Sequence, residues 1–285
     1  MSYPQLPTDI QSLSRFVDVD GIKTHYIEKG TGRPLVLLHG GGAGADGWGN
    51  WRGCIDAYAE HFRVLVPDMP GFGRTGKPSP DTYDYSQDGR NRHLAGFLDA
   101  LEIRSTSLIG NSMGGATALG LAINSPERVQ KLVLMGSAGL DIANPDPTYI
   151  KKLQAYDFTL DGMQQIMTTM TGSSHVVDPA LVQYRHEIMQ NADAQVAIRS
   201  IVRSKLAYTH EQIASVSAPT LVVGGKEDKV AVLARTYGYL ELIRQAWGIV
   251  VPEAGHWVMI EAPEAFVRMT LTFLLDSAFG VIVDG

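Results

Sequence analysis

The five residues Gly110-Asn111-Ser112-Met113-Gly114 constrain this chain more than any other stretch. They follow Thr106-Ser107-Leu108-Ile109, a short strand-like run. They precede Gly115–Ala122, whose small and apolar side chains suit a buried helix. A G-x-S-x-G pattern between strand and helix makes a sharp turn that lifts a serine hydroxyl above the end of a sheet. The flanking glycines let the backbone pass without a side-chain clash. Such a turn belongs to a chain in which strands alternate with helices.

The alternation is present. Arg15–Val19 and Ile22–Ile27 each alternate around the turn pair Asp20-Gly21, which predicts a β-hairpin. Pro34–Leu38 is an unbroken apolar run, as in strands buried on both faces of a parallel sheet. Val64–Val66, Leu132–Met135, Thr220–Val223 and Ile249–Val251 are read the same way. Helical patterns lie between them at Trp48–His61, Tyr85–Leu101, Met113–Ser125, Val232–Ala246 and Pro263–Phe279. The fold class is therefore α/β, a mostly parallel sheet flanked by helices. From Ala138 to Tyr208 the rhythm breaks. That stretch has no buried strand, reads as helical, and carries Met163, Met167, Met170 and Met189. It is expected to be a helical lid, 138–208, inserted between two parts of one core, 1–137 and 209–285.

Composition narrows the function classes. A hydrophobic content of 45% suits a globular enzyme and excludes a disordered chain. The net charge of −6, with no basic block, gives no reason to expect nucleic acid or an anionic membrane as partner. Cys54 is the only cysteine, so no intrachain disulfide can form. Met1–Arg15 has no apolar core of signal-peptide length, and no run approaches the roughly 18 apolar residues of a membrane span. The expectation is a cytoplasmic protein.

A serine at neutral pH needs a base, and the base needs an acid to orient it. In chains with this turn the order is serine, then acid, then histidine. Of the eight histidines, four follow Ser112: His175, His186 and His210 fall in or beside the inserted region, and His256 sits in a loop between the last strand and the last helix. His256 is the expected base. After Leu221–Val223 the loop offers Glu227 and Asp228, and the Gly225-x-x-Asp228 spacing past a strand end favours Asp228. An oxyanion needs backbone N–H donors. Met113, next after the serine, supplies one, and Gly41 in His39-Gly40-Gly41-Gly42 supplies the other, with His39 bracing that loop. Two other motifs compete with this reading. Gly42-Ala43-Gly44-Ala45-Asp46-Gly47 matches a dinucleotide-binding G-x-G-x-x-G, with Asp68 at the next strand end. A preceding hairpin and the downstream serine, acid and histidine oppose it. Gly71–Lys77 nearly matches a phosphate-binding loop, but Pro78 stands where a Ser or Thr would hold magnesium.

Together, His39–Gly44, Gly47–Asn50, Asp68–Gly73 and Gly110–Leu119 resemble the meta-cleavage product hydrolases, carbon–carbon bond hydrolases of bacterial aromatic catabolism with the α/β-hydrolase fold. The resemblance runs from about Phe16 to Leu275 and is weak in the lid. Ser112 separates the chain from the haloalkane dehalogenases and epoxide hydrolases, which place aspartate there. The resemblance implies a Ser112–His256–Asp228 triad and an oxyanion hole at Gly41 and Met113. It implies that Gly42, Asn50, Asn111 and Arg185 bind the carboxylate and 2-hydroxy/oxo end of an anionic 2-hydroxy-6-oxohexa-2,4-dienoate, with Trp257 as a wall. Arginine grips carboxylates through two parallel bonds, which suits Arg185. No metal or organic cofactor and a homodimer or higher homo-oligomer are expected. A carboxylesterase using the same triad is the main alternative, and a non-catalytic small-molecule binder of the same fold is a further one. Met170 and Gly172-Ser173-Ser174 stand where the family sets aromatic residues against the C6 substituent, which leaves that substituent open.

Overall fold

The computed structural model describes residues 3–204 and 207–279; residues 205–206 of the expected lid segment and 280–285 of the second core part lie outside the described residues. A helical turn, α1 (Thr8–Gln11), leads into the hairpin β1 (Ser14–Val19) and β2 (Ile22–Lys29). Then come β3 (Pro34–Leu38), α2 (Gly47–Trp51), α3 (Ile55–Ala59), β4 (Arg63–Pro67), α4 (Gln87–Ala100), β5 (Thr106–Asn111), α5 (Met113–Asn124) and β6 (Val129–Met135). After the short β7 (Gly139–Leu140), four helices follow without a long strand: α6 (Thr148–Gln154), α7 (Leu160–Met170), α8 (Pro179–Ile188) and α9 (Ala192–Arg203). The chain returns through β8 (Ala207–Tyr208), α10 (His210–Ala214), β9 (Thr220–Gly225), α11 (Leu233–Leu242), β10 (Ala246–Val251), α12 (Val258–Glu261) and α13 (Pro263–Leu275).

The main sheet has eight strands in the order β1-β2-β4-β3-β5-β6-β9-β10. β2 pairs antiparallel with β1 and β4, and every other pairing is parallel. Strands β3, β5, β6 and β9 occupy the middle, and nearly all their residues are buried. That is why unbroken apolar runs mark them in the sequence: both faces are covered by helices. Because these four strands run the same way, the loops leaving their carboxyl ends gather along one edge of the sheet. Among the described residues no helix is long and apolar enough to cross a membrane.

Three elements differ from the sequence reading. The helix expected over Trp48–His61 is two short ones, because the backbone turns at Arg52–Cys54, where a Cβ on Gly53 would lie 3.2 Å from Pro263 of α13. The helix expected to run from Val232 to Ala246 stops at Leu242, and Ala246 already belongs to β10. Ile249–Val251 was expected to be buried on both faces. β10 is instead the edge strand, with Trp247 37% and Val250 36% exposed. The inserted stretch does hold a two-residue ladder, Gly139–Leu140 on Ala207–Tyr208, too short to leave a periodic signal.

Candidate active site

Ser112 forms the turn between β5 and α5 at φ 54°, ψ −116°. The turn is this tight because glycines flank it. A Cβ on Gly110 would lie 2.4 Å from the Gly114 carbonyl oxygen, and one on Gly114 would lie 2.4 Å from that of Leu38. The Ser112 amide donates to Met135 O (3.1 Å) and its carbonyl accepts from Ala138 N (3.0 Å), so the turn is tied to β6. The Ser112 hydroxyl makes no hydrogen bond among the described residues. It lines a small cavity together with Gly40, Gly41, Gly42, Asn50 and His256.

His256 and Asp228 meet across the loops that follow β10 and β9. His256 Nδ1 lies 2.8 Å from Asp228 Oδ2, with side chains 3% and 0% exposed. The other carboxylate oxygen accepts from the amides of Val230 (2.7 Å) and Ala231 (2.8 Å). Burial alone would raise this carboxyl's pKa. The His256 ring and the two amides outweigh it and hold Asp228 below the ordinary carboxylate range. Glu227, its sequence rival, points elsewhere and accepts from Ser173 N (2.7 Å).

Gly41 packs directly on Met113: a Cβ there would lie 2.9 Å from the Met113 sulfur and 3.1 Å from its Cβ. Among the described residues neither the Gly41 nor the Met113 amide has an acceptor, and Met113 is the first residue of α5. One unused amide at the N-terminus of α5 and a second in the loop packed against it suit developing negative charge. His39 lies beneath, wholly buried. Its Nδ1 donates to Gly40 O (2.7 Å) and its Nε2 accepts from Met69 N (3.0 Å), so the ring is a neutral brace.

The residues expected at the anionic end do different things. Asn111 Nδ2 donates to Met135 O (3.2 Å) and His256 O (3.5 Å), and its Oδ1 accepts from Asn50 Nδ2 (3.2 Å). Its amide thus ties the serine turn to the histidine loop, and Asn50 retains one free N–H. Arg185, on α8, is only 1% exposed. Its Nε and Nη2 donate to Ala43 O (3.1 and 2.9 Å), its Cζ lies 4.9 Å from the centre of the Trp257 ring, and its buried Nη1 has no partner among the described residues. Burial lowers its pKa to about 10, which leaves it cationic at neutral pH. Gly42 faces this guanidinium: a Cβ there would lie 3.0 Å from Nη2.

Sequence reasoning missed two members of this neighbourhood. Tyr149 of α6 lines the cavity beside Met170 and Arg185. Glu261 of α12 accepts from Gly172 N (2.7 Å), Gly255 N (3.0 Å) and Trp257 N (3.2 Å), pinning the His256 loop to the end of α7. The rival dinucleotide motif is filled: a Cβ on Gly44 would lie 2.3 Å from Arg185 O, and Asp68 accepts from Gly47 N and Arg74 N (2.8 Å each). Asp68 also anchors a second serine–histidine–aspartate chain, with His25 Nδ1 at 2.8 Å and Ser14 Oγ 2.7 Å from His25 Nε2.

Residues 33–263 match the model of a family described by its alpha/beta hydrolase fold. A 2-hydroxy-6-oxo-6-(2'-aminophenyl)hexa-2,4-dienoic acid hydrolase of Metapseudomonas resinovorans is 43% identical over 92% of this chain and 91% of its own. A 2-hydroxy-6-oxo-2,4-heptadienoate hydrolase of Pseudomonas putida is 34% identical over 92% and 96%. Among solved structures, a serine hydrolase involved in carbazole degradation superposes with a TM-score of 0.84 at 42% identity, covering 92% of this chain and 98% of that one. A meta-cleavage product hydrolase of Pseudomonas fluorescens gives 0.87 at 31% identity, covering 93% and 98%.

Proposed function

The chain belongs to the α/β-hydrolase family, and within it to the meta-cleavage product hydrolases; from that premise we propose that it cleaves the C5–C6 bond of 2-hydroxy-6-oxohexa-2,4-dienoates. The products are 2-hydroxypenta-2,4-dienoate and a carboxylic acid. One observation carries the reading: a buried guanidinium with an unpartnered N–H shares a small cavity with Ser112 and His256. A buried N–H left unpaired on a cation is costly, and an anionic substrate that accepts from it removes that cost.

The roles follow from chemistry. Arg185, Asn50 and the backbone at Gly42 seat the carboxylate and C2 oxygen, against the Trp257 ring. The dienol becomes a ketone at C2 and gains a proton at C5, with His256 handling the proton. Ser112 then adds to the C6 ketone, and the Gly41 and Met113 amides hold the oxyanion. The C5–C6 bond breaks and its electron pair delocalises through C3–C4 onto the C2 oxygen. Water, deprotonated by His256, releases the acid from Ser112. Asp228 orients the imidazole and stabilises its cation. The helices over 148–203 act as the lid that closes this site. The relatives' names differ at the C6 group, which is methyl in one and aminophenyl in another, and which group this chain takes is left to the assay.

The test is a visible-absorbance time course on yellow dienoates bearing methyl, alkyl and phenyl groups at C6, beside p-nitrophenyl esters. Bleaching with kcat/KM at least tenfold above that for esters is expected, because esters leave the Arg185 seat empty. Efficient ester hydrolysis with no bleaching would establish the carboxylesterase alternative instead.

A further inference from the structure

Three groups converge on one point above Gly42. A Cβ placed there would lie 3.0 Å from Arg185 Nη2, 3.0 Å from Met170 Cε and 3.5 Å from the Tyr149 hydroxyl. Met170 supplies only an apolar methyl. The other two are donors. Tyr149 is 8% exposed, yet among the described residues its hydroxyl makes no hydrogen bond. Tyr58, Tyr85 and Tyr239 bond to Thr270, Pro78 O and Ala138 O (2.6, 2.8 and 2.6 Å), whereas the buried Tyr156 hydroxyl also lacks a partner among the described residues; what sets Tyr149 apart is that its hydroxyl reaches the cavity of Ser112 and Arg185. A phenylalanine at 149 would fill the same volume with no orphaned hydroxyl. The phenol therefore presents an uncommitted donor to the cavity, where a ligand can take up its hydrogen bond. Arg185 Nη1, buried and also unpartnered, repeats the pattern on the neighbouring group.

Resting on the functional reading above, we propose that Tyr149 is a specificity-determining residue. Its hydroxyl donates to the carboxylate end of the substrate and, with Arg185, completes a seat for a 2-oxo or 2-hydroxy carboxylate. The placement fits that role. Tyr149 lies in the first turn of α6, and its ring reaches the cavity that holds Ser112 and Arg185. Burial raises its pKa to about 12, so the phenol keeps its proton and remains a donor across the working pH range. A hydrogen bond to a charged group is among the stronger kinds, and its loss weakens binding by about ten- to a hundredfold.

Tyr149→Phe removes one oxygen and keeps the packing. With dienoates its KM is expected to rise by about ten- to a hundredfold with kcat within a few-fold of wild type. The ratio of dienoate to p-nitrophenyl acetate specificity should fall by a similar factor. Pyruvate, a small 2-oxo carboxylate, should inhibit ester hydrolysis competitively in the wild type and about tenfold more weakly in the variant. Equal losses on dienoate and ester, or an unchanged dienoate KM, would overturn the proposal by reducing Tyr149 to packing. If the wild-type protein bleaches no dienoate, the functional reading fails and pyruvate still decides. Binding measured by calorimetry that weakens in Tyr149→Phe sustains the anion seat, and binding that is absent or unchanged removes it.

Discussion

At Ser112 the backbone holds a positive φ that costs a residue bearing a Cβ about 1–3 kcal/mol. That strain sets up a contrast between two inactive variants. Ser112→Ala keeps the Cβ and the strain, whereas Ser112→Gly relieves it. Both are expected to lose about 10⁴-fold or more in kcat, since the proposed nucleophile is removed. The glycine variant should nevertheless melt about 2 °C or more above the alanine variant, because alanine at positive φ is the poorer fit. Equal melting temperatures in differential scanning calorimetry would deny the strain, and residual activity within tenfold of wild type would end the serine-hydrolase reading. A fluorophosphonate probe should label wild type and leave both variants unlabelled. Ser14, despite its own histidine and aspartate, begins a strand and not a helix, so no ring of free amides faces its hydroxyl. Ser112, Asp228 and His256 were legible because each sits one loop past a strand, and chain order alone separates them from other polar residues. Tyr149 was not. A tyrosine near a helix start reads as core, and only the approach of α8 and the Gly42 loop shows that its hydroxyl is left without a partner.

Elements carry the site through their ends, and their legibility follows from how each is covered. β3, β5, β6 and β9 were readable because burial on both faces demands continuous apolar residues. β10 was misjudged because an edge strand needs only one covered face, and Trp247 and Val250 on the other look the same in sequence. Arg185 stood out as a cation in an otherwise weakly charged helix, but its depth of burial came only from packing. The link between α12 and the two loops it serves was invisible, since three backbone amides leave no sequence trace. Glu261 makes that link through Gly172, Gly255 and Trp257. Its removal in Glu261→Ala is expected to cost about 1–3 kcal/mol of stability. It should also lower kcat more than it raises KM, because His256 loses its fixed position while Arg185 keeps its own. Glu261→Gln retains one acceptor oxygen and should recover part of both losses. Thermal unfolding and steady-state kinetics on the pair decide this, and a wild-type kcat in Glu261→Ala would reject the pinning role.

For the molecule as a whole, acid stability depends on buried groups that cannot take up a proton in the fold. His93 of α4 is 5% exposed and faces Thr24 of β2, with Nε2 3.2 Å from the Thr24 hydroxyl. Burial lowers its pKa from the usual 6.5 to about 4. The unfolded chain therefore binds a proton at a pH where the fold does not. The stability tied to a neutral His93 is complete above about pH 6.5 and is lost as the pH falls towards 4. Between pH 7 and pH 5 that loss is on the order of 2 kcal/mol. Asp46 works in the opposite sense. Burial and the neighbouring Asp68 raise its pKa to about 6, so the fold binds a proton there that the unfolded chain releases. The wild-type curve sums both, and a difference measurement separates them. His93→Gln keeps a side-chain partner for Thr24 and removes the titration, while Asp46, which makes no contact with His93, is present in both proteins and cancels in the difference. In urea titrations the variant should be less stable than wild type at pH 7, and its deficit should shrink by about 2 kcal/mol by pH 5. A deficit that stays constant over that range would show that His93 is already charged in the fold, or that the unfolded chain holds it neutral.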